Sequence, residues 1–231
     1  MYTNKSKLLT AVAVGLLSVN VFSLPVKAAG ITIIATEIEG LHQGDGKGFY
    51  DEVLTSMTSS FPVALKVLPP NRAAIEFERC ENCCLSPANK NTDFYDYPAD
   101  YLVTTAMTEA KVYIWTAPGS APVNSLSDLA GKKVGARHGM TYGNAVESAG
   151  IKFDLASTIN QSIKKLEVGR LDAFIAYVLD AYTTFEEMGK EPFPHDKANP
   201  VAVHDDSVLC KPTSETEVFV REFNAHLANM E

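Results

Sequence analysis

Short β-branched runs alternate with helix-periodic stretches along most of this chain. That alternation restricts the fold more than any other feature of the sequence. Ile31-Thr32-Ile33-Ile34-Ala35 is short and almost wholly apolar, as a buried strand is. Gly44, Gly46 and Gly48 turn the chain, and Phe49, Val53, Leu54 and Met57 then recur at helical spacing. A second strand, 63–68, is stopped by Pro69-Pro70, and Asn71 is placed to cap a helix through Arg79. The spacing predicts further strands over 83–86, 111–116, 133–137, 172–177, 201–203 and 208–210. It predicts helices opening at Ser125-Leu126-Ser127-Asp128 and running over 141–148, 162–168 and 179–188. A last helix, capped at Ser214-Glu215-Thr216-Glu217, carries Val218, Phe219, Phe223 and Leu227 on one face. Residues 87–100, with their Asn, Asp, Pro and aromatics, read as an ordered loop, and 118–122 as a linker. Strands alternating with helices predict an α/β architecture with mainly parallel sheets.

Residues 1–28 stand apart from this pattern. Lys5 and Lys7 precede an apolar run, Leu24-Pro25 breaks it, and Val26-Lys27-Ala28 has the small residues that a signal peptidase reads. A signal peptide cut after Ala28 is expected, because the run is shorter than the roughly 20 residues of a membrane span. The chain is therefore expected to be exported to the periplasm. The full sequence has 20 Lys+Arg against 28 Asp+Glu; losing Lys5, Lys7 and Lys27 leaves 17 against 28, a charge of −11. Such an acidic body argues against nucleic acid or an anionic membrane as partner. A small ligand in a local pocket is untouched by that argument, and a monomer is expected.

Four cysteines remain: Cys80, Cys83, Cys84 and Cys210. An even count in an exported chain points to disulfides. Bonding the adjacent Cys83 and Cys84 would need a strained ring, so Cys80 with Cys83 and Cys84 with Cys210 is the favoured pairing. The Cys80-Glu81-Asn82-Cys83 spacing could also serve redox chemistry or half a zinc site. No second such pair accompanies it, and no thioredoxin-like context precedes it. No metal or cofactor is expected.

The stretch 131–143, GKKVGARHGMTYG, runs from a strand into Gly139-Met140-Thr141 and a presumed helix start. Backbone N–H groups at such a turn suit an anion, Gly139 would let a ligand approach closely, and Arg137 stands just before it. Alone, the turn is equally the bend between a strand and a helix. Its surroundings add to it. SLSDLAGKKVGARHGMTYG (125–143) followed by SIKKLEVGRLDAFIAY (162–177) resembles the second lobe of bacterial periplasmic solute-binding proteins of family 3, the polar amino-acid-binding type. GFYDEVL (48–54), MTEAKVYIWTAPG (107–119) and FNAHL (223–227) are similar to that family's first-lobe element, its strand to the hinge and its closing helix.

The resemblance implies two α/β lobes of the type II periplasmic-binding-protein fold, joined by two crossing strands. Lobe 1 would be 29–114 with 205–231 returning to it, and lobe 2 would be 115–204. It implies a ligand in the cleft, with an inner-membrane ABC permease or a sensor as partner. Where the family places a carboxylate-binding arginine, this chain has Lys111; where it places an ammonium-binding aspartate, the chain has Tyr177. Arg72, after the prolines, either supplies the missing fork, facing the Gly139-Met140-Thr141 turn, or is a solvated helix-start arginine. Tyr177 and Tyr182 are either pocket contacts or core aromatics. Tyr95 and Tyr97 either wall the cleft or cover the lobe. Trp115 reads as packing, His138 as incidental, and Asp180 as a solvated helix-start carboxylate.

The function implied is capture of a small polar or anionic, amino-acid-like solute by lobe closure, without catalysis. The alternative is a dehydratase of the same fold acting on cyclic carboxylates. That chemistry needs an acid or base in the cleft, and Glu37 with His42 behind it is the best-placed pair.

Overall fold

The computed structural model describes residues 30–57 and 61–230; the expected signal segment and its cleavage point lie outside them. The first elements are β1 (Ile31–Thr36), α1 (Phe49–Ser56), β2 (Val63–Leu68), α2 (Pro70–Arg79), β3 (Cys83–Ser86) and β4 (Leu102–Val103). After these come β5 (Thr108–Thr116), β6 (Val134–Arg137), α3 (Asn144–Glu147), β7 (Phe153–Ala156) and α4 (Ile159–Glu167). The chain closes with β8 (Ala173–Tyr177), α5 (Val178–Glu187), β9 (Ala202–Asp206), β10 (Leu209–Cys210) and α6 (Ser214–Ala228).

The strands form two sheets, ordered β2-β1-β3-β10-β4 and β7-β6-β8-β5-β9. Both are mixed. β1 is parallel to β2 and β3, and β6 is parallel to β7 and β8. β10 joins the first sheet antiparallel, and β5 and β9 join the second that way. In each sheet the chain leaves the central strand of the parallel three (β1 or β6), adds one neighbour, then returns to the other side. Such a reversal opens a crevice at the carboxyl ends of the strands, where open α/β sheets take their ligands.

Burial follows from this layering. Ile31 and Ile33 point to one face of the first sheet, packing with Leu54, Phe219 and Phe223 from α1 and α6. Ile34 points to the other, with Phe77 of α2, Leu85 and Leu209. Phe219 and Phe223, four apart and stacked, place the C-terminal helix on this sheet. In the second sheet Trp115 packs on Phe174, Phe185 and Ile163, while Val112, Ile114, Val134 and Val146 fill the opposite face. Disulfides join Cys80 to Cys83 and Cys84 to Cys210. The second couples residues directly opposite on β3 and β10, which ties the returning segment to the first sheet.

Local departures from the sequence pattern have local causes. The helix expected over 141–148 is only α3, one turn beginning at Asn144. Tyr177 takes the Thr141 carbonyl at 2.8 Å, and Gly143 sits at φ 91°, outside helical geometry, so the helix starts only after Gly143, which caps it. Asn71 does not cap α2; Pro69 precedes the helix and Pro70 starts it, where a missing N–H costs nothing. Thr158, not a residue nearer 162, caps α4 through a 3.3 Å bond from the Gln161 amide. Likewise Thr213, one residue before the expected cap, opens α6. The segment after Ser125 forms only a 3-10 turn.

Candidate functional site

Between the two sheets lies a cavity of about 110 Å³, lined from both. A water needs roughly 10–15 Å³ on this measure, so the space holds several waters or a small organic molecule. From the first sheet come Thr36, at the end of β1, Ile38, Leu41, Pro70 and Pro87, together with Tyr95 and Tyr97 of the long loop. The second contributes Gly139, Met140 and Thr141 after β6, and Tyr177, Val178 and Leu179 after β8. Ala110 and Lys111 of β5, and His204 and Asp206 of β9, complete the lining. The parallel strands β1, β3, β6 and β8 thus deliver residues at or just past their carboxyl ends to one crevice.

The polar part of the wall is a run of hydrogen-bonded side chains with a longer His204–Asp206 contact at its centre. The Tyr177 hydroxyl donates to Thr141 O at 2.8 Å and lies 2.9 Å from His204 Nε2. Asp206 Oδ1 is 3.7 Å from His204 Nδ1. Its Oδ2 accepts from the Tyr50 hydroxyl at 2.6 Å, and Tyr50 also touches Thr108 Oγ1. Burial raises Asp206 above the ordinary carboxylate range, against the pull of the Tyr50 bond and His204. Burial likewise raises Tyr177 well above the usual phenol value, so it stays a neutral donor. Beside it, Tyr97 is pushed up to about 12, first by burial.

The lobes are clasped on two sides of this cavity. On one, Arg137 reaches Glu39 Oε2 at 3.0 Å, Glu37 O at 3.0 Å and Asp180 Oδ2 at 3.4 Å. Arg137 Nε and Asp180 Oδ1 are buried without hydrogen-bond partners. Burial raises Asp180 well above the carboxylate range; Arg137 opposes this but does not overcome it. On the other side, the long loop docks through Asp93 O to Asn144 N at 2.7 Å and Thr92 O to Asn144 Nδ2 at 3.2 Å. Asn71 Nδ2 meets His138 Nδ1 at 2.9 Å across the same gap.

Of the residues singled out by sequence, Lys111, Gly139, Met140, Thr141 and Tyr177 line the cavity, as do Tyr95 and Tyr97. Arg72 does not. It is exposed on the outer face of α2, in a shallow depression with Lys66, Glu76 and Arg79, so it does not face the turn. Arg137 is buried in the clasp and does not line the cavity. Thr141 Oγ1 already donates to Glu147 Oε1 at 2.6 Å. Glu37 is exposed outside the cavity and offers its carbonyl to Arg137. Tyr182 packs on Trp115 and bonds His195 Nε2 at 3.0 Å, inside the second sheet's core. Asp180, expected to be solvated, is 1% exposed, because α5 starts facing the clasp.

His204 and Asp206 escaped the sequence reading. The signal was their alternation about the exposed Asp205, which turns both inward on one strand. Also unforeseen is a buried Ser86–His42–Asp51 series. His42 lies 2.9 Å from Ser86 Oγ and 2.7 Å from Asp51 Oδ1. All three are 0% exposed, so no substrate reaches the hydroxyl in this conformation. Asp51 Oδ2 also accepts the Gln43 and Gly48 amides at 2.8 and 3.1 Å, which makes the series a brace for the glycine-rich turn. Among the described residues, no His/Cys/Asp/Glu group is placed to hold a metal ion, and no helix is long and apolar enough to cross a membrane.

Two α/β lobes around a shared cleft define the periplasmic-binding-protein architecture, and solved structures match it. No protein-family model and no curated protein sequence matches the chain. A glycine-to-alanine mutant of the arginine-bound arginine-binding protein from T. maritima matches with a TM-score of 0.67 at 12% identity, over 87% of this chain and 95% of that one. ArtJ, the arginine-, lysine-, histidine-binding protein of Geobacillus stearothermophilus, matches at 0.65 and 19% identity, over 87% and 89%. An ABC uptake transporter substrate-binding protein from Streptococcus pneumoniae with bound histidine matches at 0.63 and 15%, over 87% and 86%. The chain has the two-lobed fold of these proteins.

Proposed function

We propose that this protein is a solute-binding protein that captures a small molecule in the interlobe cleft and passes it to an ABC uptake permease. One observation carries the reading: a single cavity takes its walls from both lobes and from both β5 and β9. A molecule bound there touches both lobes at once, so its binding energy favours the closed arrangement over the open one. The matching structures are titled as binding proteins for arginine, lysine or histidine, which supports an amino-acid-like solute class. The dehydratase alternative loses its candidate acid–base group, because Glu37 lies outside the cavity.

We divide the chain into lobe 1, 29–114 with 205–231, and lobe 2, 115–204. β5 and β9 pair with each other over Thr108–Val112 and Ala202–Asp206, as two strands crossing between lobes do. Export to the periplasm, with cleavage after Ala28, fits the two disulfides, which persist in oxidising compartments. A thermal-shift screen of the protein from Ala29 onward, against amino acids, amines, dicarboxylates and aromatic acids, tests the binding reading. Saturation at a hundredfold excess over Kd raises stability by about 2.7 kcal/mol. A hit must also compact the molecule in small-angle scattering. A hit that leaves the scattering unchanged, or no hit in any class, counts against the reading.

A further inference from the structure

The charges on the cavity wall are unevenly provided for. The Lys111 amine already pairs with Glu109 at 2.9 Å, and its side chain is 41% exposed, at the rim. Asp206 is the opposite case. It is 5% exposed and lines the cavity, its Oδ2 is held by Tyr50, and its Oδ1 makes no hydrogen bond. His204 Nδ1 lies 3.7 Å from Oδ1, beyond hydrogen-bond length.

The proton inventory shows what His204 can offer. Tyr177 has one hydroxyl proton, and it goes to the Thr141 carbonyl, so His204 Nε2 must donate to the phenol oxygen. A neutral ring is then bare at Nδ1, which accepts from Asn89 Nδ2 at 3.2 Å. In that state His204 gives Asp206 neither a proton nor a counter-charge. The competing state is a doubly protonated ring, donating to Asp205 O at 3.0 Å and neutralising Asp206; it predicts no preference for cations.

The aromatic rings nearby favour the same sign. Tyr95 and Tyr177 line the cavity, and both rings stand edge to face with His204, at 6.0 and 5.5 Å. Ring faces beside a carboxylate attract a cation. Nothing comparable awaits a ligand carboxylate: among the described residues no arginine lines the cavity, and the lysine that does is at the rim and paired. An anionic group drawn inside loses water and meets Asp206.

Resting on the solute-binding reading above, we propose that the cleft selects an organic cation without a carboxylate: an amine or guanidine on a small apolar or aromatic body, with Asp206 as its counter-ion. The cation site thereby stands on the crossing strand β9 and not at the end of β8, where Tyr177 is found.

Matched pairs test this by calorimetry on the wild-type protein: tyramine against tyrosine and against 3-(4-hydroxyphenyl)propionate, and agmatine against arginine. The expected result is that an amine binds at least about 10-fold more tightly than its amino acid, the scale of a lost charged hydrogen bond. Asp206→Asn should weaken the amine by about 10-fold or more. The wild-type comparison decides the matter even if Asp206→Asn folds poorly. An amino acid or the propionate binding as tightly as its amine overturns the cation proposal and leaves the solute-binding reading standing. If no probe of any charge binds, both fall.

Discussion

Replacing Arg137 with Met should open the lobes. The guanidinium makes two bonds across the gap, to Glu39 Oε2 and to Glu37 O, each at 3.0 Å. A hydrogen bond involving a charged group contributes about 1.5–3 kcal/mol. Glu39 is 22% exposed, so water screens its share and the lower end applies to both bonds. The pair therefore holds the closed form by about 3 kcal/mol. At about 1.4 kcal/mol per decade, the closed-to-open ratio falls on the order of 100-fold. Met keeps most of the apolar volume, so the packing around the end of β6 survives. Asp180 loses its guanidinium but already holds its proton more firmly than an ordinary carboxylate, which limits the cost of stranding it. Small-angle scattering of the ligand-free protein should show a larger radius of gyration for Arg137→Met than for wild type. Affinity for any cleft ligand should fall in parallel, since only the closed fraction binds tightly. Unchanged scattering together with unchanged affinity would refute the reasoning.

The other expectations concern pH, glycine and sulfur. Asp180 has a raised folded value, so the folded state binds its proton more tightly than the unfolded chain does. The charge penalty therefore appears as pH rises above the ordinary 3.8 and grows until the folded value is passed. Asp180→Asn should then gain stability relative to wild type as pH rises through that window, read as a growing difference in melting temperature; a constant difference would contradict the assignment. A Cβ at Gly139, where φ is +82°, would stand 2.7 Å from Asn71 Oδ1 and 3.1 Å from Pro70 Cβ, both of lobe 1. Gly139→Val should thus hold the lobes apart in scattering even without ligand, whereas Thr141→Ala should not. The Cys84–Cys210 disulfide spans 126 residues and Cys80–Cys83 only 3. Chain entropy assigns them about 5 and about 2 kcal/mol, so Cys84→Ser with Cys210→Ser should lower the urea midpoint much more than the Cys80/Cys83 pair, and equal effects would contradict the loop argument.

Most of the strand–helix order was legible in the sequence, because apolar periodicity reports burial and burial is what the elements share. Ile31 to Ala35, the 172–177 run and the Phe219/Phe223 face all announce their layers that way. Edge elements with little burial, such as β4 and β7, carry no such pattern and were not foreseen. The favoured cysteine pairing follows from adjacency and agrees with the bonds formed. The resemblance of short motifs carried the two-lobed fold and five cavity residues, Lys111, Gly139, Met140, Thr141 and Tyr177. The destination of each charge was beyond it. Arg72 and Arg137 are equally basic in sequence, yet α2 turns one outward and β6 buries the other against Glu39 and Asp180. Asp206 and Asp205 are neighbours with the same side chain, and the pleat of β9 sends only one into the cleft. Residue type sets what a group can do, but its partners come from segments distant in the chain. Only the tertiary packing of both lobes decides which charge is paired within the fold and which is turned into the cleft.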